Sequence, residues 1–199
     1  MAVERQKGFS LIELLVVVAI LMCVAAVATP NMIGIIATSR IRSSMGNLSG
    51  FIQNCRSTAV RFNTTKSVFN TQIQGGPFAY IADPTATSIS SAEAQLPIGR
   101  SALWISDLST AGADAPAELT SELAFQNSTL VADHSTVSFN NRGLPCKYVS
   151  GTGACNTGTG FIWYFRFQPP FGQNRWAALS ISPAGRIKSW YWSGTAWSN

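Results

Sequence analysis

Charge is scarce in this sequence. Only 12% of its 199 residues are Asp, Glu, Lys or Arg, about half of the roughly 25% usual in soluble domains. Histidine occurs once, at His134, and no Cys-x-x-Cys pair is present among the four cysteines. Those gaps argue against a zinc site, which needs clustered thiolates and imidazoles. The Gly-rich stretch SGTGACNTGTG, 150–160, has no Lys-Ser/Thr ending and so is not a phosphate loop. It reads instead as a flexible loop. No nucleophile–base set is visible, and neither a catalytic residue nor a cofactor or metal is expected. Acids are missing altogether from His134 to Asn199, where six bases stand, whereas Ser67 to Asp133 holds seven acids and one base, Arg100. From Arg40 to Lys66 there are five bases and no acid. The chain is therefore patterned basic, acidic, basic around a modest net charge of +5. Charge blocks of this size are equally compatible with a scatter of charges on a secreted domain.

What the chain has in abundance is one long apolar run. Residues 1–8, MAVERQKG, are polar and carry Arg5 and Lys7; FSLIELLVVVAILMCVAAVA then follows from Phe9 to Ala28 with Glu13 as its single charge. Twenty helical residues span about 30 Å, the thickness of a bilayer core. Bases ahead of the run favour a cytoplasmic N-terminus and an extracytoplasmic remainder. A carboxylate inside such a helix costs roughly 2.5–3.5 kcal/mol and calls for a partner.

The segment Lys7-Gly8-Phe9-Ser10-Leu11-Ile12-Glu13 resembles the class III signal of type IV prepilins and type II secretion pseudopilins. The resemblance implies cleavage between Gly8 and Phe9 by a prepilin peptidase, methylation of the new N-terminus on Phe9, and assembly with other pilin or pseudopilin subunits. It gives Glu13 the role of meeting a neighbouring subunit's N-terminal amine. Pro30 falls where many type IV pilins carry a helix-kinking proline. The implied location is a single pass in the bacterial inner membrane with the globular part outside, then a pilus or pseudopilus.

Beyond Pro30 the apolar positions Ile41, Met45, Leu48, Ile52, Cys55, Ala59 and Phe62 step by four and three, the stripe of a helix packed on one face. Asn63 is a plausible stop. The period then falls towards two, predicting strands at 67–73, 78–81, 102–105, 136–140, 161–167, 176–182 and 186–192. The expected organisation is a leader at 1–8, a transmembrane helical part at 9–33, an amphipathic part at 34–63, and a β-rich globular domain at 64–199. The Ala/Ser/Thr-rich acidic segment at about 82–133 reads as a partly irregular insertion, with a short helix near 117–125. The fold class is α+β, a long N-terminal helix packed on antiparallel sheet.

Three further pieces narrow the resemblance. Arg56-Ser57-Thr58-Ala59-Val60-Arg61-Phe62-Asn63 looks like the R-x-x-A-x-x-x-N helix end of the GspH/FimT family. Phe139-Asn140-Asn141-Arg142-Gly143 and Ser182-Pro183-Ala184-Gly185-Arg186 look like its F-x-x-x-G and S-x-x-G-R elements. The family contains minor pseudopilins of type II secretion and minor pilins of type IV pili.

Two other sets of residues are candidates for function. Cys146 and Cys155, nine positions apart, can close a disulfide loop outside the cytoplasm, while Cys23 and Cys55 sit in apolar stretches. Five of six tryptophans share the acid-free C-terminal third with its bases. Exposed rings and cations suit a nucleic-acid strand, and Gly185-Arg186-Ile187-Lys188 resembles the G-R-x-R/K element of FimT-type minor pilins linked to DNA uptake. Arg186, Lys188, Arg175 and Arg166 are thus candidate DNA contacts. Core or inter-subunit packing of the tryptophans is the competing reading.

Overall fold

The computed structural model describes residues 10–73, 76–99, 102–105, 108, 111–117, 119, 129–131, 136–169 and 173–199, without the side chains of 27, 29–31, 33 and 129–131. The chain forms two compact units, Met1–Ser39 and Arg40–Asn199. The helix α1 (Leu11–Arg61) is followed by strands β1 (Lys66–Ile73) and β2 (Gly76–Ala82), a short 3-10 turn (Ile89–Ser91), and strands β3 (Ala94–Pro97), β4 (Ala102–Ile105), β5 (Thr129–Val131), β6 (Val137–Phe139), β7 (Pro145–Val149), β8 (Ala154–Thr157), β9 (Thr159–Phe167), β10 (Arg175–Ile181), β11 (Ile187–Trp192) and β12 (Trp197–Ser198).

The strands form two sheets. The first has the order β3-β2-β1-β6-β7-β8 and the second β12-β11-β10-β9-β4. Every pairing along both orders is antiparallel, and β5 adds a parallel contact to β9. The expected α+β architecture, a helix packed on antiparallel sheet, is what the structure contains.

The stripe on α1 organises the main core. Ile41, Met45, Leu48, Ile52, Cys55 and Ala59 are all buried. They pack against Val68, Ile81, Val137 and Phe139 of the first sheet and Phe161, Trp163, Phe165, Leu179 and Ile181 of the second. Burying each large aliphatic side chain contributes about 1.5–3 kcal/mol. Phe62, expected on the same stripe, is instead exposed. It lies just beyond the last helical residue, where the backbone leaves the helical path. The amide of Thr64 donates to the carbonyl of Ala59, the amide of Asn63 donates to Val60, and Asn63 takes φ 51°. This is a Schellman ending with asparagine in the left-handed position that glycine more often fills.

Arg56 ties the helix end to a turn from each sheet. Its Nη1 donates to the carbonyl of Gly185 at 3.4 Å. A Cβ on Gly185 would lie 3.2 Å from that Nη1, and one on Gly143 would lie 3.0 Å from Val60 Cγ2 and 3.1 Å from Arg56 Nε. Both glycines also hold positive φ, +83° and +73°, which side-chain-bearing residues adopt only at a cost. Asn63 Oδ1 accepts from Asn141 Nδ2 at 3.0 Å, so the helix end, the 140–143 turn and the 182–185 turn meet at one place.

Within the 82–133 segment, strand β3 extends the first sheet, and β4, the strand expected at 102–105, joins the second. Leu108, Ala111 and Leu119 close a second core over the far face of the second sheet, with Ile162, Tyr164, Trp176, Trp190 and Trp197 beneath. Two bonds hold the cover down: Trp197 Nε1 donates to the carbonyl of Ala117 at 2.6 Å, and the amide of Leu119 donates to Tyr164 Oη at 3.1 Å. The short helix expected near 117–125 lies outside the described residues but for Ala117 and Leu119. The Gly-rich 150–160 stretch is not a flexible loop: β8 lies within it and pairs with β7 from Cys146↔Thr157 to Val149↔Ala154.

Lys66 opens β1 from a buried position. It pairs with Asp83 at 2.8 Å and with Glu93. Burial, the largest single influence, pushes its pKa down, but the bonds and charges of the two carboxylates outweigh it and the net displacement is upward.

Gly143→Ala and Gly185→Ala are each expected to destabilise the domain by about 2 kcal/mol, from left-handed backbone strain together with the close approach of Arg56. Gly50→Ala, mid-helix with open space around it, is expected to stabilise by about 0.5–1 kcal/mol. Urea unfolding followed by tryptophan fluorescence distinguishes the three.

Candidate functional site: the helix start and the basic residues

Leu11 begins α1, and its first turn is capped by the Ser10 carbonyl, which accepts from the amides of Glu13 at 3.1 Å and Leu14 at 3.2 Å. Glu13 stands in that first turn, where a negative charge complements the positive end of the helix dipole. It is exposed and has no ion-pair partner among the described residues. Around it the helix is apolar on every side. From Leu11 to Val24 the large hydrophobic side chains are between 41% and 80% exposed. A helix with no polar face has no stable place against water. The described apolar stretch, Leu11 to Ala26, is about 24 Å long at the helical rise, and among the described residues no helix is long and apolar enough to cross a membrane.

Gly8 and Phe9, the expected cleavage and methylation positions, lie outside the described residues. Pro30 falls within α1, but its side chain is outside them. Phe9 precedes Glu13 by four positions, so on a continued helix the two would share a face.

The basic residues do not form one patch. Arg175 and Arg166 sit where β9 and β10 turn back on each other, with Arg175 opposite Phe167 and Arg166 opposite Trp176. Arg186 and Lys188 sit at the other end of β10, next to the Ser182–Gly185 turn, Lys188 facing Ser180. Arg175 and Ser180, the residue opposite Lys188, are five steps apart on β10, about 17 Å of strand. Arg166 is already engaged: Nη1 donates to the carbonyl of Ala111 at 3.4 Å, lies 4.0 Å from Asp114, and its guanidinium is 6.0 Å from the Trp176 ring centre. Lys188 Nζ lies 4.7 Å from the Trp190 ring centre. Arg186 is exposed, in the turn before β11 rather than on the strand. Four of the five C-terminal tryptophans are not stacking platforms: Trp163, Trp176, Trp190 and Trp197 are buried, and only Trp192 of the five is half-exposed.

Cys146 and Cys155 are joined by a disulfide between β7 and the edge strand β8, with Cα atoms 5.3 Å apart. Cys55 is a free, buried thiol whose pKa is pushed up to about 12, by burial first and the nearby Glu93 second, so it is held in the unreactive protonated form. Among the described residues no cluster of ligating side chains is suited to a metal ion. His134 lies outside those residues.

Sequence reasoning missed the interplay of Arg56 with Gly143 and Gly185. The signal was present, since all three belong to the quoted motif elements, but nothing in their spacing says that the elements meet.

Among curated proteins, none matches the chain by sequence. Two crystal forms of the type IV minor pilin FimU from Pseudomonas aeruginosa strain PAO1 align with the structure. The first has a TM-score of 0.44 and 16% identity, covering 81% of this chain and 95% of FimU. The second has a TM-score of 0.42 and 17% identity, covering 79% and 97%. Residues 4–29 match the prokaryotic N-terminal methylation motif. The start of the chain is therefore a class III prepilin signal, carried on a helix whose residues from Ile41 to Ala59 form the core of a two-sheet domain.

Proposed function

We propose that the protein is a minor pilin or pseudopilin: a structural subunit, not an enzyme, that prepilin peptidase cleaves between Gly8 and Phe9 and methylates on Phe9. It is held in the inner membrane by the 9–33 segment, with the β-domain outside, until it joins a filament of other such subunits. The single observation that carries this reading is the coincidence of the methylation motif over residues 4–29 with an all-round apolar helix bearing one carboxylate, Glu13. Lipid covers such a helix before assembly, and neighbouring helices cover it afterwards. In either setting an unpaired carboxylate is costly. The amine that cleavage creates on Phe9 of an adjacent subunit supplies its counter-charge. Side-by-side packing through one repeated, non-self-complementary contact gives an open filament.

Two destinations fit these features, a type IV pilus and a type II secretion pseudopilus. The elements around Arg56, Gly143 and Gly185 support a place in the GspH/FimT family, which serves both. Deleting the gene separates them: loss of piliation favours the pilus, and loss of protein export favours the pseudopilus.

A second reading adds DNA contact for uptake in natural transformation. Its support is the exposed Arg186 next to Lys188. Binding of this kind is sequence-nonspecific and falls steeply with salt.

Glu13→Ala is expected to leave insertion and leader cleavage unchanged while reducing recovery of the subunit in sheared filament fractions tenfold or more. Incorporation at the wild-type level removes the proposed role of Glu13. For the second reading, weak duplex binding at low salt is expected in a mobility-shift assay, abolished by Arg186→Gln with Lys188→Gln. An unshifted duplex with the wild-type protein at low salt rules that reading out.

A further inference from the structure

A concavity of about 840 Å³ opens beside the β9–β10 turn and the β11–β12 turn, lined by Asp114, Gln173, Asn174, Arg175, Trp192 and Ser193 among others. It lies at the end of the second sheet opposite Arg186 and the turns that clasp Arg56. Nothing in the assembly role uses it. Its size is that of a small-molecule site, and its lining is chemically specific.

The polar groups are mostly planar. A carboxylate, two primary amides and a guanidinium line it, whereas the Ser193 hydroxyl is turned into its own turn and donates to the Ala196 carbonyl at 2.9 Å. Each planar group can engage two adjacent hydroxyls at once, the carboxylate accepting, the guanidinium donating and the amides doing both. Two of them are held in place. Asn174 Nδ2 donates to Asp114 Oδ2 at 2.7 Å, and Asp114 Oδ1 lies 4.0 Å from Arg166 Nη1. The aromatic wall is fixed as well. Trp192 packs edge-on against Trp197 at 5.5 Å between ring centres and remains half-exposed. An indole offers an apolar plate to C–H groups beside polar neighbours.

The charge pattern narrows the ligand further. The Asp114 carboxylate repels a phosphate chain, which weighs against a nucleic-acid strand at this place. A purely apolar ligand would strip water from the carboxylate and the amides without replacing its hydrogen bonds. A pyranose satisfies both demands, with an apolar C–H face for Trp192 and vicinal hydroxyls for the planar groups. We propose that this concavity binds a neutral saccharide of one to three units, so that the exposed domain recognises glycans.

The test uses the full chain in lipid nanodiscs, free of sugar-based detergents. Tryptophan fluorescence is titrated with maltohexaose, cellohexaose and chitohexaose, and the same sample is applied to an array of neutral and acidic glycans. At least one neutral glycan is expected to give a saturable change, weakened tenfold or more by Gln173→Ala with Arg175→Ala, two exposed positions outside the cores. Trp192→Ala is expected to abolish it. The proposal is overturned if no glycan binds, if binding survives unchanged in the Gln173→Ala, Arg175→Ala variant, or if oligo-dT gives the saturable response and the saccharides give none.

Discussion

Burial of one helical stripe between two sheets is the constraint on which the rest of the domain depends. Ile41, Met45, Leu48, Ile52, Cys55 and Ala59 form the helical surface of a core whose other described residues come mostly from strands. Among the described residues no second α-helix covers the inner face of either sheet. The stripe must therefore end at a fixed place, and the left-handed Asn63 ends it. Arg56 then sets the helix against a turn from each sheet through contacts that only glycine permits. The same α1 is apolar all round in its first turns and apolar on one face from Ile41 onward. That change of pattern along one helix is the physical basis for reading its two parts as different devices, one for lipid and filament, one for a domain core.

Electrostatics follow the fold rather than the sequence blocks. The basic, acidic, basic pattern along the chain looks like segregated charge, yet the structure brings opposite signs together. Lys66, last of the first basic block, is met by Asp83 and Glu93 from the acidic one. Arg166, from the final basic block, faces Asp114. Other bases, among them Arg40, Arg61, Arg142, Lys147 and Arg186, make no ion pair among the described residues. Because Lys66 titrates above its ordinary range, its pairing contributes fully below the unfolded lysine pKa and is lost only as pH rises through the folded value.

The helix and its end were legible in the sequence because both signals are local. Steps of four and three place the stripe, and asparagine suits the left-handed residue after it. Phe62 kept the step but lies past the final helical turn, where periodicity no longer decides direction. Strands with β-branched or aromatic runs, such as β9 and β10, were also visible. β7, Pro145-Cys146-Lys147-Tyr148-Val149, and β8, Ala154-Cys155-Asn156-Thr157, were hidden because neither carries an alternating apolar pattern, and their pairing rests on register and a disulfide. The tryptophans show the limit most clearly. Trp176 and Trp190 stand on the side of the second sheet that a two-layer domain would leave to solvent, so pairing with bases suggested an exposed surface. Residues from the acidic segment, Leu108, Ala111 and Leu119, cover that side. Which segment covers which face is a non-local fact that no spacing encodes. For the same reason the concavity near Asp114 and Trp192, built from three separate turns, left no trace in the sequence.

The account as a whole requires the apolar start of α1 to begin at a new, methylated amine beside Glu13. Intact-mass and N-terminal peptide mass spectrometry of the protein extracted from membranes of cells with active prepilin peptidase measures this directly. The account predicts a chain beginning at Phe9 and carrying one additional methyl on its α-amine. A chain that retains residues 1–8 in those cells would contradict it.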